Sequence, residues 1–413
     1  MRTAVLGAGV TGLTAARRLH DMGETVVVYE SEEKIGGLAR SRSVNGYLYD
    51  PHGGHILNSK DPKIMEWVFS ILPKENWKHT VRNAKIFFKG GYVSYPFELS
   101  LCELDTETQL DCVCDFMEAE RGEEPDNFKD WLIWHFGKGI AENYMIPYNS
   151  KIWAYPLEDM EVGWMHGKMP LPEKKEVLRS LVMKDPTERK MPHSTFYYPL
   201  KGGIQTMVNA IAEPLDVRLN HRVKECVKKE GKWYVDGEMY DRVICTVSLP
   251  ELRKIMDLPK DVNDAIGGLK YNSLTTVLFN CPSTEITWLY IPSSDYRSHR
   301  VGYQSALTPF ACPGKGGCGA LEIIGPQFKV TDSIKDAIPK ELYPNEIMDH
   351  EFTEYAYVIH DKDYRKNTEK VFSHFDEFDD FFLVGRWACW NYNNMDICMG
   401  DAFRLIDRIR GAE

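Results

Sequence analysis

Apolar and polar positions along the chain change period several times, and each change marks an element. Residues 3–6 form a short apolar run, followed by a glycine cluster and then by Leu13, Ala16 and Leu19 on one side of a helix reaching residue 22. A second apolar run over 25–29 ends at Glu30. Two continuous apolar runs joined by a helix predict a βαβ unit, because the strands of a parallel sheet are buried on both faces. Residues 100–190 turn helical in spacing, over 104–121, 128–144 and 173–183. Residues 247–370 carry short strand-like stretches at 274–279, 288–291, 320–324 and 355–359, separated by Pro and Gly, which predicts an antiparallel sheet.

Three later stretches return to the first pattern. Residues 195–227 hold the run Phe196-Tyr197-Tyr198-Pro199, a Gly202-Gly203 turn, a helix through Met207 and Ala210, and a strand over 216–227. Residues 233–235 and 242–245 alternate as strands of a small antiparallel piece, 381–386 runs from a buried strand into a Gly turn, and 401–410 is a closing amphipathic helix. The expected architecture is α/β. It has a Rossmann-like domain assembled from residues 1–95, 195–246 and 376–413, a mainly helical insertion over 96–194, and an antiparallel-sheet domain over 247–375. The stretch from Cys312 to Cys318 lacks the spacing of a phosphate-binding loop and reads as a hairpin loop.

The glycines carry the first chemistry. Gly7-Ala8-Gly9-Val10-Thr11-Gly12 lies between the first run and the first helix, the context that a G-x-G-x-x-G dinucleotide fingerprint requires. Gly7 permits the tight turn, Gly9 lets a pyrophosphate approach the backbone, and Gly12 lets helix and strand pack closely. The helix start offers free N–H donors to phosphates. Glu30, 18 residues after Gly12, is placed to accept ribose hydroxyls. A second glycine pair follows in Ile35-Gly36-Gly37-Leu38-Ala39-Arg40. It resembles the extended fingerprint of the FAD enzymes that include amine oxidases, protoporphyrinogen oxidase and the sugar-nucleotide mutases, whose second loop covers the cofactor diphosphate. The resemblance makes the Rossmann-like domain an FAD-binding domain.

Composition narrows the partners. The 413 residues carry a net charge of −11, so no basic field attracts nucleic acid or an anionic membrane. An anionic substrate must be captured by local Arg or Lys. No apolar run reaches the ~18–20 residues of a membrane span. The chain opens straight into a strand, which leaves no room for a secretory signal and predicts a cytoplasmic protein. Ten cysteines are scattered without zinc or thioredoxin-like spacing, and no metal site is expected.

The segment Tyr49-Asp50-Pro51-His52-Gly53-Gly54-His55 separates the flavin families. It resembles the UDP-galactopyranose mutases, above all the eukaryotic-type ones, whose Gly-Gly-His loop lies against the flavin. The resemblance continues in Tyr95-Pro96-Phe97-Glu98, where the family has Tyr-Pro-Phe-Gln, and in Pro147-Tyr148-Asn149-Ser150-Lys151-Ile152-Trp153, its nucleotide-binding stretch. Trp288-Leu289-Tyr290 with Arg300 ten residues past Tyr290, and Gly385-Arg386 with Trp390 and Tyr392, keep its spacing too. Two replacements depart from it: Lys168 stands for a diphosphate-binding arginine, and Glu98 for the glutamine. After Tyr392 the segment before Met399 is also shorter than in the family.

The resemblance implies a nucleotide-sugar pyranose–furanose mutase, an isomerase that makes galactofuranose-type products and works with reduced FAD, with NAD(P)H as a candidate reductant. Flavin N5 attacks the anomeric carbon while the nucleoside diphosphate departs and returns. His55, Arg300 and Lys168 are the implied catalytic residues. Substrate contacts fall to Tyr95, Asn149, Trp153, Lys168, Tyr290, Arg300, Tyr364 and Tyr392. Cofactor contacts fall to Gly7, Gly9, Val10, Thr11, Gly12, Glu30, Gly37, Leu38, Gly54, His55, Val223, Gly385, Arg386 and Met399. The expected partner is a nucleoside-diphosphate sugar, UDP-linked, with room for a homo-oligomer. Each residue also has an ordinary reading: Trp153 and Tyr290 as core aromatics, Arg300 as a surface charge, His55 as a structural histidine. Two other functions stay open. A flavin oxidoreductase of the amine oxidase or protoporphyrinogen oxidase type predicts an apolar substrate cage, and a non-catalytic flavin-fold sensor predicts binding without turnover.

Overall fold

The computed structural model describes the whole chain except residues 121, 166–168, 170, 185–193, 331–333, 335, 343–345 and 412–413. Strands Arg2–Leu6 and Thr25–Tyr29 pair in parallel around the helix Val10–Asp21, the βαβ unit that the first apolar runs require. Three strands from distant parts of the chain complete a five-stranded parallel sheet. Its order is Phe381–Leu383, Arg242–Cys245, Arg2–Leu6, Thr25–Tyr29, Asp216–Arg218. The closing helix Met395–Ile409 packs on Val10–Asp21 through Met399, Ala402 and Ile406, all wholly buried. It begins six residues earlier than its charged stretch suggests, because Met395, Cys398 and Met399 already face the core.

Two expectations are corrected. Residues 216–227 are not one strand: Asp216–Arg218 joins the parallel sheet, whereas Cys226–Lys229 belongs to a three-stranded antiparallel sheet with Lys232–Val235 and Glu238–Tyr240. The polar Asn220, at φ +53°, breaks the run between them. Arg242–Cys245, in turn, lies in the parallel sheet rather than in the antiparallel piece. Its four residues are buried, the pattern of a central parallel strand.

The larger sheet has seven strands in the order Glu346–Ile359, Lys270–Cys281, Gly317–Ile324, Arg300–Gly302, Trp288–Tyr290, Ala84–Phe88, Gly91–Ser94. Every pairing is antiparallel except Trp288–Tyr290 with Ala84–Phe88, so residues before the helical insertion add two strands to this sheet. The helices Thr106–Glu118, Phe128–Ile140, Ile146–Trp153 and Lys174–Met183 lie beside it. One continuous apolar core runs from Phe97, Phe136 and Tyr144 in the helical part to Leu274, Trp288 and Tyr290 in the sheet. That shared core brings the helix Ile146–Trp153 beside the strand Trp288–Tyr290, with the Tyr148 and Tyr290 rings 5.3 Å apart. Asn272 fastens its C-terminal end, donating to the carbonyls of Ile152 and Trp153 at 2.9 Å each.

Candidate active site

The glycine-rich loop separates glycines that the fold needs from one that it does not. Gly7 sits at φ +99°, and a Cβ on Gly12 would lie 2.1 Å from the Gly7 carbonyl oxygen, inside any tolerable contact. A Cβ on Gly9 would meet nothing within 4 Å. Gly9 caps the helix Val10–Asp21 with no side-chain acceptor, and the first turn contains no acid, so among the described residues no side chain caps the leading amides beside the open space at Gly9. Gly37 folds over this point, its would-be Cβ 3.2 Å from Gly9 Cα, and Gly36 bridges to Gly9. Leu38 follows in the same turn. Glu30, buried at the end of Thr25–Tyr29, accepts the Ala8 N–H at 2.9 Å and the Glu32 N–H at 3.0 Å. Gly385, at φ +89°, lies against Thr11. Met399 and Val223 are buried in the packing on either side of the parallel sheet. Room at Gly9, free amides beside it and a carboxylate one strand away fit the pyrophosphate and ribose of FAD.

The Gly-Gly-His loop is held from beneath by Asp50. This wholly buried carboxyl accepts from Ser41 Oγ (2.5 Å), Tyr198 Oη (2.9 Å) and the His55 N–H (3.1 Å). Burial pushes its pKa up to about 6. His55 Nδ1 donates to the Gly53 carbonyl at 2.7 Å, which leaves Nε2 as an acceptor. Burial and the charges of Arg386 and Arg300 hold His55 down at about 4, a neutral imidazole. His52 is likewise held at about 3 by burial and the neighbouring Arg40. Gly54 lies 3.4 Å (as a Cβ) from Trp288 Nε1, and Gly53 the same distance from Glu322, so the loop abuts the seven-stranded sheet.

Across that contact lies a cluster of phenols and guanidiniums. Tyr290 and Arg300 are direct partners on adjacent antiparallel strands. The Tyr290 ring is 5.1 Å from Tyr95 and 5.3 Å from Tyr148. Arg82 donates to Tyr290 Oη, and its guanidinium lies 5.1 Å from the Tyr95 ring and 5.2 Å from the Trp288 ring. Among the described residues no carboxylate pairs with Arg82, and its Nε is buried without a partner. Arg300 instead donates twice to Glu322. Two guanidiniums and one carboxylate leave the cluster electropositive in a chain of net charge −11.

The remaining expected residues divide. Trp153 and Tyr392 meet edge-to-face at 5.6 Å, with Arg386 over Tyr392 at 4.8 Å and over Tyr357 at 5.3 Å, in a second aromatic group next to the first. Asn149 is turned inward: its amide donates to Met145 O and its oxygen accepts from Trp153 Nε1. Tyr364 stands at the margin, stacked on His360 at 3.9 Å and bonded to Asn391. Lys168 lies outside the described residues. Sequence reasoning missed Arg82, Glu322 and Tyr357, and quoted Tyr148 only as part of its motif. Glu322 had a signal, a lone acid inside the apolar strand Gly317–Ile324; Arg82, in a polar stretch beside exposed Val81, had none.

Among the described residues no helix is long and apolar enough to cross a membrane, and no cluster of His, Cys, Asp or Glu could hold a metal. The family described as flavin-containing amine oxidoreductase matches residues 10–290. The UDP-galactopyranose mutase of Mycoplasma pneumoniae is 24% identical over 168 residues, 38% of this chain and 41% of that protein. The mitochondrial protoporphyrinogen oxidase of Nicotiana tabacum is 25% identical over 305 residues, 62% of this chain and 59% of that one. The matched regions thus span about two fifths and three fifths of these relatives' lengths. Among solved structures, a reduced UDP-galactopyranose mutase superposes over 100% of this chain and 96% of its own, with TM-score 0.88 and 23% identity. A putative protoporphyrinogen oxidase from Exiguobacterium sp. 255-15 covers 100% and 99%, with TM-score 0.77 and 16% identity.

Proposed function

This chain belongs to the family of flavin-containing amine oxidoreductases and is an FAD flavoprotein, and within that family we propose that it is a pyranose–furanose mutase acting on a nucleoside-diphosphate sugar. The observation that carries the reading is the pairing deficit at Arg82, Arg300 and Tyr290: two guanidiniums face one phenol, and among the described residues a single carboxylate, Glu322, pairs with them. A site built for a cationic amine has no use for a surplus of buried positive charge. A diphosphate supplies the missing negative charge, and charge-assisted bonds to it strengthen as it becomes a leaving group.

FAD, when bound and reduced, supplies the electron pair that the sugar carbon accepts as the diphosphate departs. Its holders on this chain are the Gly7–Gly12 loop, Glu30, Gly36–Gly37 and the turn at Gly385. The remaining work falls to side chains. Arg82 and Arg300 hold the departed diphosphate in place, and Tyr290, whose oxygen accepts from Arg82, keeps its own O–H to donate to a phosphate oxygen. His55, neutral, keeps Nε2 as an acceptor at the loop. Lys168 adds a further cation by resemblance. NAD(P)H as the reductant and a cytoplasmic location belong to the same proposal.

The test is anaerobic incubation of the dithionite-reduced protein with UDP-, GDP- and TDP-sugars, followed by chromatographic separation of pyranose from furanose forms. Interconversion supports the mutase. Oxygen-consuming turnover of an amine or a porphyrinogen, without sugar conversion, sinks it.

A further inference from the structure

Lys151 belongs to the helix Ile146–Trp153, yet its ammonium is spent on another element. Nζ donates to the carbonyl oxygens of Ile291 (2.6 Å), Ser293 (2.8 Å) and Ser298 (2.6 Å). An ammonium has three N–H bonds, so these acceptors saturate it. The three carbonyls bracket the connection between Trp288–Tyr290 and Arg300–Gly302, whose ends are Tyr290 and Arg300. On its far side this connection is tied through Arg297 N–H to Asp336 O and Ser298 N–H to Ala337 O, at 3.0 Å each. On the near side Tyr148, from the same helix as Lys151, leans on the Tyr290 and His299 rings at 5.3 and 6.3 Å. His299 is wholly buried with neither ring nitrogen hydrogen-bonded, its Nε2 3.7 Å from Glu322. A contact between rings leaves two elements free to slide; three charge-assisted bonds from one atom do not.

We propose that Lys151 is a positioning residue. By clamping the 291–299 connection to the helix Ile146–Trp153 it sets how Tyr290 and Arg300 stand toward an anionic ligand. The clamp follows from the geometry alone, whereas its consequence for a ligand rests on the diphosphate reading above. Among the described residues the hydrogen-bond partners of Lys151 are these three carbonyls. Its effect therefore runs through the connection.

The test uses the full-length, FAD-loaded protein as wild type, Lys151→Met and Lys151→Gln. Two quantities are read: amide hydrogen exchange in peptides covering residues 288–302, and affinity for UDP. Lys151→Met should speed exchange there by about ten-fold or more, leave the parallel sheet's protection and the FAD content unchanged, and weaken UDP binding by about ten-fold. Lys151→Gln keeps two donors and should fall between. With a sugar nucleotide, KM should rise more than kcat falls. Unchanged exchange over 288–302, or lost protection with unchanged UDP affinity, overturns the proposal. So does loss of FAD by both variants, which makes Lys151 a folding residue. A wild type that binds no UDP while exchange responds as expected refutes the diphosphate reading and leaves Lys151 an anchor without a positioning role.

Discussion

Arg300 gives both arms of its fork to Glu322, Nε to Oε1 at 3.0 Å and Nη2 to Oε2 at 2.6 Å, and the two residues are direct cross-strand partners. Glu322 is 1% exposed, and among the described residues Arg300 is the one guanidinium paired with it. Removing one partner of a buried pair leaves an uncompensated charge and typically costs ~3–5 kcal/mol. Arg300→Ala should therefore lower the melting temperature as well as ligand affinity. The double variant Arg300→Gln/Glu322→Gln should recover most of the stability and still bind UDP poorly, as thermal unfolding and UDP titration will read. A double variant that binds UDP like the wild type removes Arg300 from the site.

Arg82 behaves differently, because among the described residues no acid pairs with it. Arg82→Met should keep fold and FAD. Losing one charge-assisted contact, worth ~1.5–3 kcal/mol, should weaken UDP binding by roughly ten- to a hundred-fold. An unchanged dissociation constant would make Arg82 a stacking residue for Tyr95 and Trp288 and nothing more.

Gly9 and Gly12 separate cofactor from fold. A side chain at Gly12 runs into the Gly7 carbonyl, whereas one at Gly9 enters open space. Gly9→Val should give a soluble, folded, colourless protein that FAD does not reconstitute, while Gly12→Val should fail to fold. Circular dichroism and flavin absorbance distinguish them. A yellow Gly9→Val protein contradicts the assignment of this loop.

Glu98 carries the pH dependence. It is 2% exposed, and burial raises its pKa to about 7. Its folded pKa thus lies above the unfolded value, so it contributes stability below about pH 4.5 that is lost as pH rises through about 7. Glu98→Gln should match the wild type near pH ~4.5 and exceed it near pH ~8, by ~3 kcal/mol at most. The charge of ionised Glu98 acts on Tyr95, whose ring lies 5.1 Å from Tyr290, so it would oppose a diphosphate there; UDP affinity should fall across the same window in the wild type and stay level in Glu98→Gln. Parallel pH curves for the two proteins place the titration elsewhere.

What the sequence disclosed follows from how local each signal is. The βαβ unit, the two glycine loops and Glu30 lie within 40 residues, so spacing exposes the first loop and Glu30, and the resemblance to the extended FAD fingerprint exposes the second. Tyr290 and Arg300 were legible because a hairpin fixes their separation. Arg82 was not: it reaches Tyr290 across 208 residues, and nothing near it in the chain distinguishes it from a surface charge. The single strand expected over 216–227 failed for a related reason, since its two halves serve different sheets and only long-range pairing says so. Asn149 shows the reverse case, a residue marked by its motif whose side chain bonds Trp153 of its own helix and the Met145 carbonyl just before it.

The central claim is that this flavoprotein isomerises a nucleoside-diphosphate sugar without consuming its reduced cofactor. The direct measurement is anaerobic: reduce the protein once, remove excess reductant, add the sugar nucleotide, and count furanose formed or lost against flavin oxidised. Many sugars converted per flavin, with the flavin still reduced at the end, is the expected result, because no net electron transfer accompanies ring contraction. One flavin oxidised for each sugar changed, or no sugar changed by a reduced protein that binds UDP, contradicts it.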